Sequence, residues 1–380
     1  MLTHTELTAL HRSLRGERVL SVYIDGTAKD LAAQRAWRVQ VDRGILDLRL
    51  WLEGSLHRER EAFERCVRLL ERELEGFAVT VGAAGWAGFI TTRGVHAVQQ
   101  LPVPAPTLVV WSTGMCVAPY VRVLKEMRPV VVAVVDARGA TIYSYQCGAL
   151  DRLENLRAHH VVEPPLHMGN APRQGFHSGT HGETGHDAAQ RSRLEGRDRM
   201  LAEASARIME LAGADGWIVL GGIPRVVAHL ARLLAPRARG RLREAAALDI
   251  HASDAEIAEA ARAGASALRD AWDEARVTDI AGRAGSMRRG VLGPEATHRA
   301  LEQASVRELY LTHRYLMDHM TDAEDAVRSA LDQGAVIEEV SRSVAERLDE
   351  HGGIAALLRF AVPEIGAGRD QPPLQMANGR

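Results

Sequence analysis

RPVVVAVVDARGATIYSYQ, residues 128–146, is the stretch that decides the fold. In it, the apolar run Val130–Val135 is followed by the turn-forming sequence Asp136-Ala137-Arg138-Gly139 and then by β-branched and aromatic residues. Two such runs around a short turn predict a β-hairpin. Further along, WIVLGG (Trp217–Gly222) predicts a buried strand, and Pro224 then begins a helix. Strands that alternate with helices in this way favour an α/β layered structure.

The composition is that of a folded protein. The chain has 380 residues, of which 46% are hydrophobic and 25% charged, with a formal net charge of −2. This length predicts two or three domains. The near-zero net charge excludes a histone-like polycation but allows a local basic patch. All but two of the 47 basic residues are arginines, which suit phosphate groups, although a GC-rich genome also gives many arginines.

Cysteine usage and apolar runs indicate a cytoplasmic protein without a membrane span. Cys66, Cys116 and Cys147 are far apart and form no CxxC pair, so a cysteine-based zinc site is not expected. The first 20 residues contain no signal-peptide-like apolar stretch. The longest strongly apolar run, Val130–Val135, is far too short to cross a bilayer.

Changes in pattern along the chain predict three α/β domains. In the first, Thr3 and Glu6 form a capping-box signature, residues 30–75 have helical spacing, and residues 86–92 and 107–112 look like strands. The predicted divisions are an N-terminal α/β domain (1–127), a middle α/β domain (128–278) with a long loop (164–187), a C-terminal α-β-α sandwich (285–365) and a disordered tail (366–380).

The loop at residues 164–187, PPLHMGNAPRQGFHSGTHGETGHD, is the main candidate for a functional site. It is longer than most loops of compact domains, and it leads into a helix predicted from about Ala188. Glycines let a backbone approach phosphates, and histidine and arginine stack on bases. The RNA-binding candidates are Arg173, His177, His181, Gly185, His186, Arg191, Arg193 and Arg197, with Arg288 and Arg289 in a second, linker-like segment. The alternative interpretation is a solvated surface loop.

Two catalytic interpretations of these segments have weaker support. His177, His181 and His186 have a spacing that can serve a zinc ion, but no rigid element holds them, so no metal site is predicted. Asp136 and Asp249 can share a magnesium ion, yet the turn that Asp136 begins explains this residue better. HExxH, GxSxG, P-loop and GxGxxG motifs are absent, and no cofactor is expected.

The C-terminal region carries a family resemblance. Residues 335–340 (AVIEEV) and 352–360 (GGIAALLRF) are similar to the closing strand–helix–GGI pattern of the archaeo-eukaryotic class 1 release factor and Pelota superfamily. The strand pair, long loop, basic helix and WIVLGG strand of the middle region follow the order of the same family. The resemblance implies a ribonuclease-H-like middle domain and a C-terminal sandwich of the kink-turn-binding ribosomal-protein type.

The chain departs from this family at its catalytic motif. Where release factors carry Gly-Gly-Gln, this sequence has Thr184-Gly185-His186, and the first domain has no NIKS-type motif. In the family, the glutamine positions water at the peptidyl-tRNA ester, so peptide release by that route is not expected here. His186 is a candidate general base. The loss of these motifs resembles the Balon-type bacterial hibernation factors.

The resemblance implies a ribosome-binding translation factor of the hibernation or rescue type rather than an enzyme. It would occupy the A site, contact ribosomal RNA there and at the peptidyl-transferase centre, and have elongation factor Tu or another translational GTPase as a possible partner. One alternative is a ribosome-dependent peptidyl-tRNA hydrolase that uses a variant loop. Another is a metal-dependent hydrolase built on the histidine-rich loop.

Overall fold

A computed structural model describes residues 2–27, 36–76, 83–158, 185–238, 240–286 and 289–361, with only the backbone described at 185–189 and 285–286. These residues form a multidomain α/β protein with three sheets, which confirms the predicted class. The chain divides into two compact units, one formed by residues 1–127 and 273–380 and the other by residues 128–272. The predicted three-domain boundaries stay a prediction. The helices in these ranges are all too short or too polar to cross a membrane.

The N-terminal part contains a four-stranded antiparallel sheet in the order β3-β2-β1-β4. Its elements are α1 (His4–Leu14), β1 (Arg18–Asp25), α2 (Ala36–Trp51), a 3₁₀ turn (Leu52–Gly54), α3 (His57–Leu74), β2 (Gly85–Thr91), β3 (Gly94–Leu101), β4 (Leu108–Thr113), a second 3₁₀ turn (Ala118–Tyr120) and α4 (Val121–Glu126). The capping box predicted at Thr3 and Glu6 is present and begins α1. Sequence patterns gave no sign of β3, because this edge strand is half-exposed and rich in polar residues.

The middle unit contains a five-stranded mixed sheet in the order β7-β6-β5-β8-β9. Its elements are β5 (Val130–Val135), β6 (Gly139–Gln146), β7 (Ala149–Arg157), α5 (Gly185–Ala212), β8 (Trp217–Gly222), α6 (Pro224–Leu234), β9 (Leu242–Glu244) and the first part of α7 (Asp254–Ser286). The hairpin predicted from residues 128–146 forms as β5 and β6. Strands β5, β8 and β9 are parallel, with Val130 paired to Trp217 and Val135 to Gly222.

The C-terminal part contains a four-stranded sheet in the order β10-β13-β11-β12. Its elements are β10 (Gly290–Leu292), α8 (Pro294–Glu302), β11 (Val306–Leu311), α9 (His313–Asp318), α10 (Met320–Asp332), β12 (Val336–Glu339), α11 (Arg342–Asp349) and β13 (Ile354–Leu358). The GGI segment leads into β13, which lies between β10 and β11 and is buried along its whole length.

The N-terminal and C-terminal parts share one hydrophobic core. In β1, Leu20, Val22 and Ile24 pack with the helices α2 and α3. Because side chains alternate along a strand, Val19 and Tyr23 face the opposite side, where they join a core that includes Ala323 and Val327 of α10. The two parts therefore form one unit although about 145 residues separate them in the sequence.

A buried carboxylate fastens α10 to the N-terminal part. The Glu324 carboxylate accepts the backbone N–H groups of Val117 at 2.8 Å and Ala118 at 2.7 Å. One turn later, Arg328 donates to Glu324 at 2.7 Å and to the carbonyl oxygens of Thr113 and Met115 at 3.0 and 2.6 Å. Each charge is thus neutralised by the other, and together they satisfy backbone groups of the segment that follows β4.

In the middle unit, helices cover both faces of the sheet. Helices α5 and α6 pack on one face through residues such as Leu201 and Leu230. On the other face lies α7, whose Gly264 comes so close to the sheet that a Cβ atom there would lie 2.6 Å from Val219 Cγ2. Gly222, at the end of β8, has a φ of +114°, and a Cβ there would lie 2.0 Å from the Val135 carbonyl oxygen. Glycine is therefore required at both points.

We expect Glu324→Ala to lower the free energy of unfolding by about 3 kcal/mol, because it leaves the Val117 and Ala118 N–H groups and the Arg328 guanidinium without their buried acceptor. Urea denaturation measures the change. Asp325→Ala is the matched control, since Asp325 is exposed on the same helix. Equal midpoints for the two variants would refute the structural role of Glu324.

Two glycines of α7 should respond to alanine in opposite directions. Gly264→Ala should destabilise the protein by about 1–2 kcal/mol, because the clash with the buried Val219 outweighs the gain in helix propensity. At Gly282, no described atom apart from its chain neighbours and the backbone of its own helix lies within 4 Å of the added Cβ, so Gly282→Ala should stabilise the protein by about 0.5–1 kcal/mol. Thermal unfolding of both variants checks the prediction, and a shift of the same sign in both would contradict it.

Candidate nucleic-acid interface

The first half of α5 extends beyond the hydrophobic core. The helix has 28 residues and is therefore about 42 Å long. Its buried apolar residues begin at Met200 and continue through Leu201, Ala204 and Ile208. Before Met200, most of the side chains from residue 190 onward are exposed. Because α5 leads into β8, this half lies at the edge of the sheet where the parallel strands β5 and β8 end.

The projecting half of α5 carries a local excess of positive charge. Residues 190–199 contain four arginines and two acidic residues. The side chain of Arg197 pairs with neighbouring Asp198 at 3.0 Å. In contrast, the Arg193 side chain is exposed and makes no ion pair with any other described residue. Such a surface suits contact with phosphate groups.

The core-bound half of α5 has no available positive charge. Its Arg207 guanidinium pairs with Glu154 of β7 and, at 2.6 Å, with Glu210. These two carboxylates raise the pKa of Arg207. The helix thus separates a half that stabilises the fold from a half that carries the exposed side chains of Arg191, Arg193 and Arg199.

The other predicted site residues fall in three places. Arg173, His177, His181 and Arg288 lie outside the described residues. Gly185 and His186 form the first two positions of α5, three residues before the predicted start of the helix. Arg289 is exposed, and its carbonyl oxygen accepts the N–H of Leu358. The structure thus places Arg191, Arg193 and Arg197 on one helix and Arg289 in the other unit.

The two aspartates considered for a nuclease site both stabilise turns. Asp136 Oδ1 accepts the backbone N–H groups of Arg138 at 2.7 Å and Gly139 at 2.6 Å. Asp249 Oδ1 accepts the N–H of His251 at 2.9 Å. Among the described residues, no three His, Cys, Asp or Glu side chains cluster as metal ligands.

Sequence reasoning missed a cleft beside the same edge of the sheet. Asp136, Arg138, Asn155 and Arg157 line it, with apolar residues on its floor, and its volume is about 510 Å³. Arg138 and Arg157 are 19 positions apart in the sequence and come together because Gly139 pairs with Arg157 across β6 and β7. This proximity depends on the turn between the strands and on a one-residue shift of register between Ile142 and Tyr143.

That turn is Cys147-Gly148, which connects β6 and β7. Both residues have positive φ angles, 54° and 88°, and Gln146 pairs with Ala149 around them. This is the geometry of a two-residue type I′ hairpin turn. The cysteine at its first position is exposed.

Comparison with protein families gives one match in this region. Residues 116–266 match the family model of the bacterial archaeo-eukaryotic release factor family 10. No curated protein matches the chain in sequence.

Several solved structures are similar at low sequence identity. Dom34 of S. cerevisiae, a translation termination-like factor that interacts with Hbs1, is 15% identical over 62% of this chain and 64% of that one, with a TM-score of 0.42. Pelota of Archaeoglobus fulgidus is 13% identical over 73% and 80% of the two chains, with a TM-score of 0.34. An archaeal translation termination factor, aRF1, is 18% identical over 94% and 99%, with a TM-score of 0.26. The chain spans less than two thirds of the length of Dom34.

The turn at Asp136 allows a test that separates its structural role from a metal-binding one. We expect Asp136→Asn to keep the stability of the protein, because the amide oxygen can still accept the two N–H groups. Asp136→Ala should lower the free energy of unfolding by about 1 kcal/mol. Urea denaturation measures both. If added Mg²⁺ stabilises the wild type but not Asp136→Asn, the metal interpretation is favoured instead.

Proposed function

We propose that this chain is a ribosome-binding translation factor of the hibernation or rescue type, because its residues 116–266 match the family model of the bacterial archaeo-eukaryotic release factor family 10. The family match is the observation that carries the proposal. The matched region includes β5–β8, the projecting half of α5 and the cleft at the edge of the sheet.

The charges of α5 support an interaction with ribosomal RNA. Arg193 is exposed and has no ion-pair partner among the described residues, so its guanidinium can contact a phosphate without breaking an existing pair. The arginines lie on the half of the helix that is not needed for the core. RNA contacts on this half therefore leave the fold of the unit intact.

The sequence at the start of α5 supports a factor without the usual release chemistry. No Gly-Gly-Gln triplet occurs in the 380 residues. Gly185 and His186, which stand where the motif would end, belong to the first turn of a helix. The family's glutamine needs a flexible glycine-rich tip, whereas a helical residue is held in one backbone conformation.

The proposal extends to domain types and partners. The strand order of the middle unit, with an antiparallel hairpin followed by parallel strands on the other side of β5, supports a ribonuclease-H-like domain. For the C-terminal sheet with its helices we propose the kink-turn-binding ribosomal-protein type. Ribosomal RNA of the A site and peptidyl-transferase centre is the proposed partner, with elongation factor Tu or another translational GTPase as a second partner in the cytoplasm.

Co-sedimentation with 70S ribosomes over a range of salt concentrations tests this proposal. The wild type should co-sediment at low salt, and its affinity should fall steeply with added salt. Arg193→Ala and Arg199→Ala together should reduce the slope of log affinity against log salt by about 2, because each arginine is expected to contact one phosphate.

Arg232→Ala is the matched control, since Arg232 is an exposed arginine on α6 of the same unit. It should bind ribosomes as the wild type does. No co-sedimentation of the wild type at any salt concentration would refute the proposed function. If the wild type releases peptide from loaded ribosomes and His186→Ala does not, the hydrolase alternative is supported instead.

A further inference from the structure

The cleft of the middle unit lies where ligands bind in many α/β proteins. It opens beside the carboxyl end of β5, the strand at which the chain reverses its direction across the sheet. β6 and β7 extend the sheet to one side of β5, and β8 and β9 extend it to the other. Crevices at such switch points are the common ligand sites of open α/β sheets. The volume of about 510 Å³ is in the range of small-molecule sites.

The floor of the cleft is apolar. Val134 of β5 and Tyr143 of β6 are each 8% exposed, and Ile257 of α7 is 2% exposed. Ile250 and Ala252, in the segment between β9 and α7, also line the cleft. A surface of this kind suits a flat, weakly polar group that gains from leaving water.

The rim of the cleft is positively charged. Arg138 and Arg157 are both exposed, and neither side chain makes an ion pair or hydrogen bond with the described residues. The N–H of Ala158 donates to the Arg138 carbonyl oxygen at 2.8 Å, which fixes the backbones of the two arginines side by side. Two guanidinium groups on adjacent backbone positions are suited to binding one phosphate between them.

The acidic residue in the cleft does not neutralise this rim. Asp136 Oδ1 is held by two backbone N–H groups in the turn, and no ion pair between Asp136 and either arginine is present in the described residues. Its carboxylate remains an acceptor for a hydroxyl or amino group of a ligand.

Between the rim and the floor, the cleft presents neutral polar groups. Asn155 and Thr141 are paired across β7 and β6, and both line the cleft. Their side chains offer an amide and a hydroxyl, which form hydrogen bonds with sugar hydroxyls or the edge of a base.

From this order of groups, we propose that the cleft binds a nucleoside monophosphate unit, either as a free nucleotide or as part of an RNA strand. The phosphate lies between Arg138 and Arg157, the ribose contacts Asn155 and Thr141, and the base packs over Val134 and Ile257. This site is on the α7 face of the sheet, whereas α5 packs on the opposite face. It is therefore independent of the proposed contact between α5 and ribosomal RNA.

Isothermal titration of the full-length chain, free of ribosomes, tests the proposal with four probes: AMP, adenosine, inorganic phosphate and a 5′-phosphorylated hexa-adenylate. AMP should bind at least tenfold more tightly than adenosine and than phosphate, because only AMP fills both the rim and the floor. The double variant Arg138→Ala/Arg157→Ala should bind AMP at least tenfold more weakly than the wild type. A hexa-adenylate that binds more tightly than AMP assigns the site to an RNA strand, and the reverse order assigns it to a free nucleotide.

Arg152→Ala provides the matched control, because Arg152 is an exposed arginine of β7 that does not line the cleft. It should leave AMP binding unchanged. An equal loss of affinity in Arg152→Ala, equal affinity for phosphate and AMP, or no saturable binding below about 1 mM would overturn the proposal. Because ribosomes are absent from this titration, its outcome does not depend on the result of co-sedimentation.

Discussion

The parallel pairing of β5 with β8 is the constraint on which the candidate sites depend. Two parallel strands cannot be joined by a tight turn, so the chain must cross the sheet before β8 begins. The crossover here contains α5, which has to run antiparallel to β8. The start of the helix is thereby brought to the carboxyl edge of the sheet, where the β5–β6 turn and the cleft also lie. One pairing thus positions the basic helix end and the cleft, on opposite faces of one sheet.

The other unit depends on a different kind of interaction. Its N-terminal and C-terminal parts share an apolar core, but apolar contacts have no preferred direction. Glu324 and Arg328 add directional contacts to the backbone between Thr113 and Ala118. Removing Arg328 would leave the buried Glu324 carboxylate without its partner, and removing Glu324 would leave the half-buried Arg328 guanidinium without its own. The pair therefore fixes the register in which the two parts meet.

The sequence predicted the elements whose signals are local. The run Val130–Val135 and the capping box at Thr3 depend on neighbouring residues, and both form as expected. Glu324 looked like any acid on an amphipathic helix, because its acceptor role depends on backbone groups about 200 positions away. The proximity of Arg138 and Arg157 likewise depends on strand register. Arg193 and Arg197 were found because helical spacing alone places them on one face.

The three cysteines differ sharply in chemical accessibility. Burial raises the pKa of Cys66 to about 11, and that of Cys116 is also raised by burial and by the carboxylate of Glu324. Both thiols are therefore shielded from alkylating reagents, since the thiolate is the reactive form. Cys147 alone is exposed, in the tight turn between β6 and β7. The natural chain thus offers a single attachment point for a fluorophore or spin label on the hairpin that forms one wall of the nucleotide cleft.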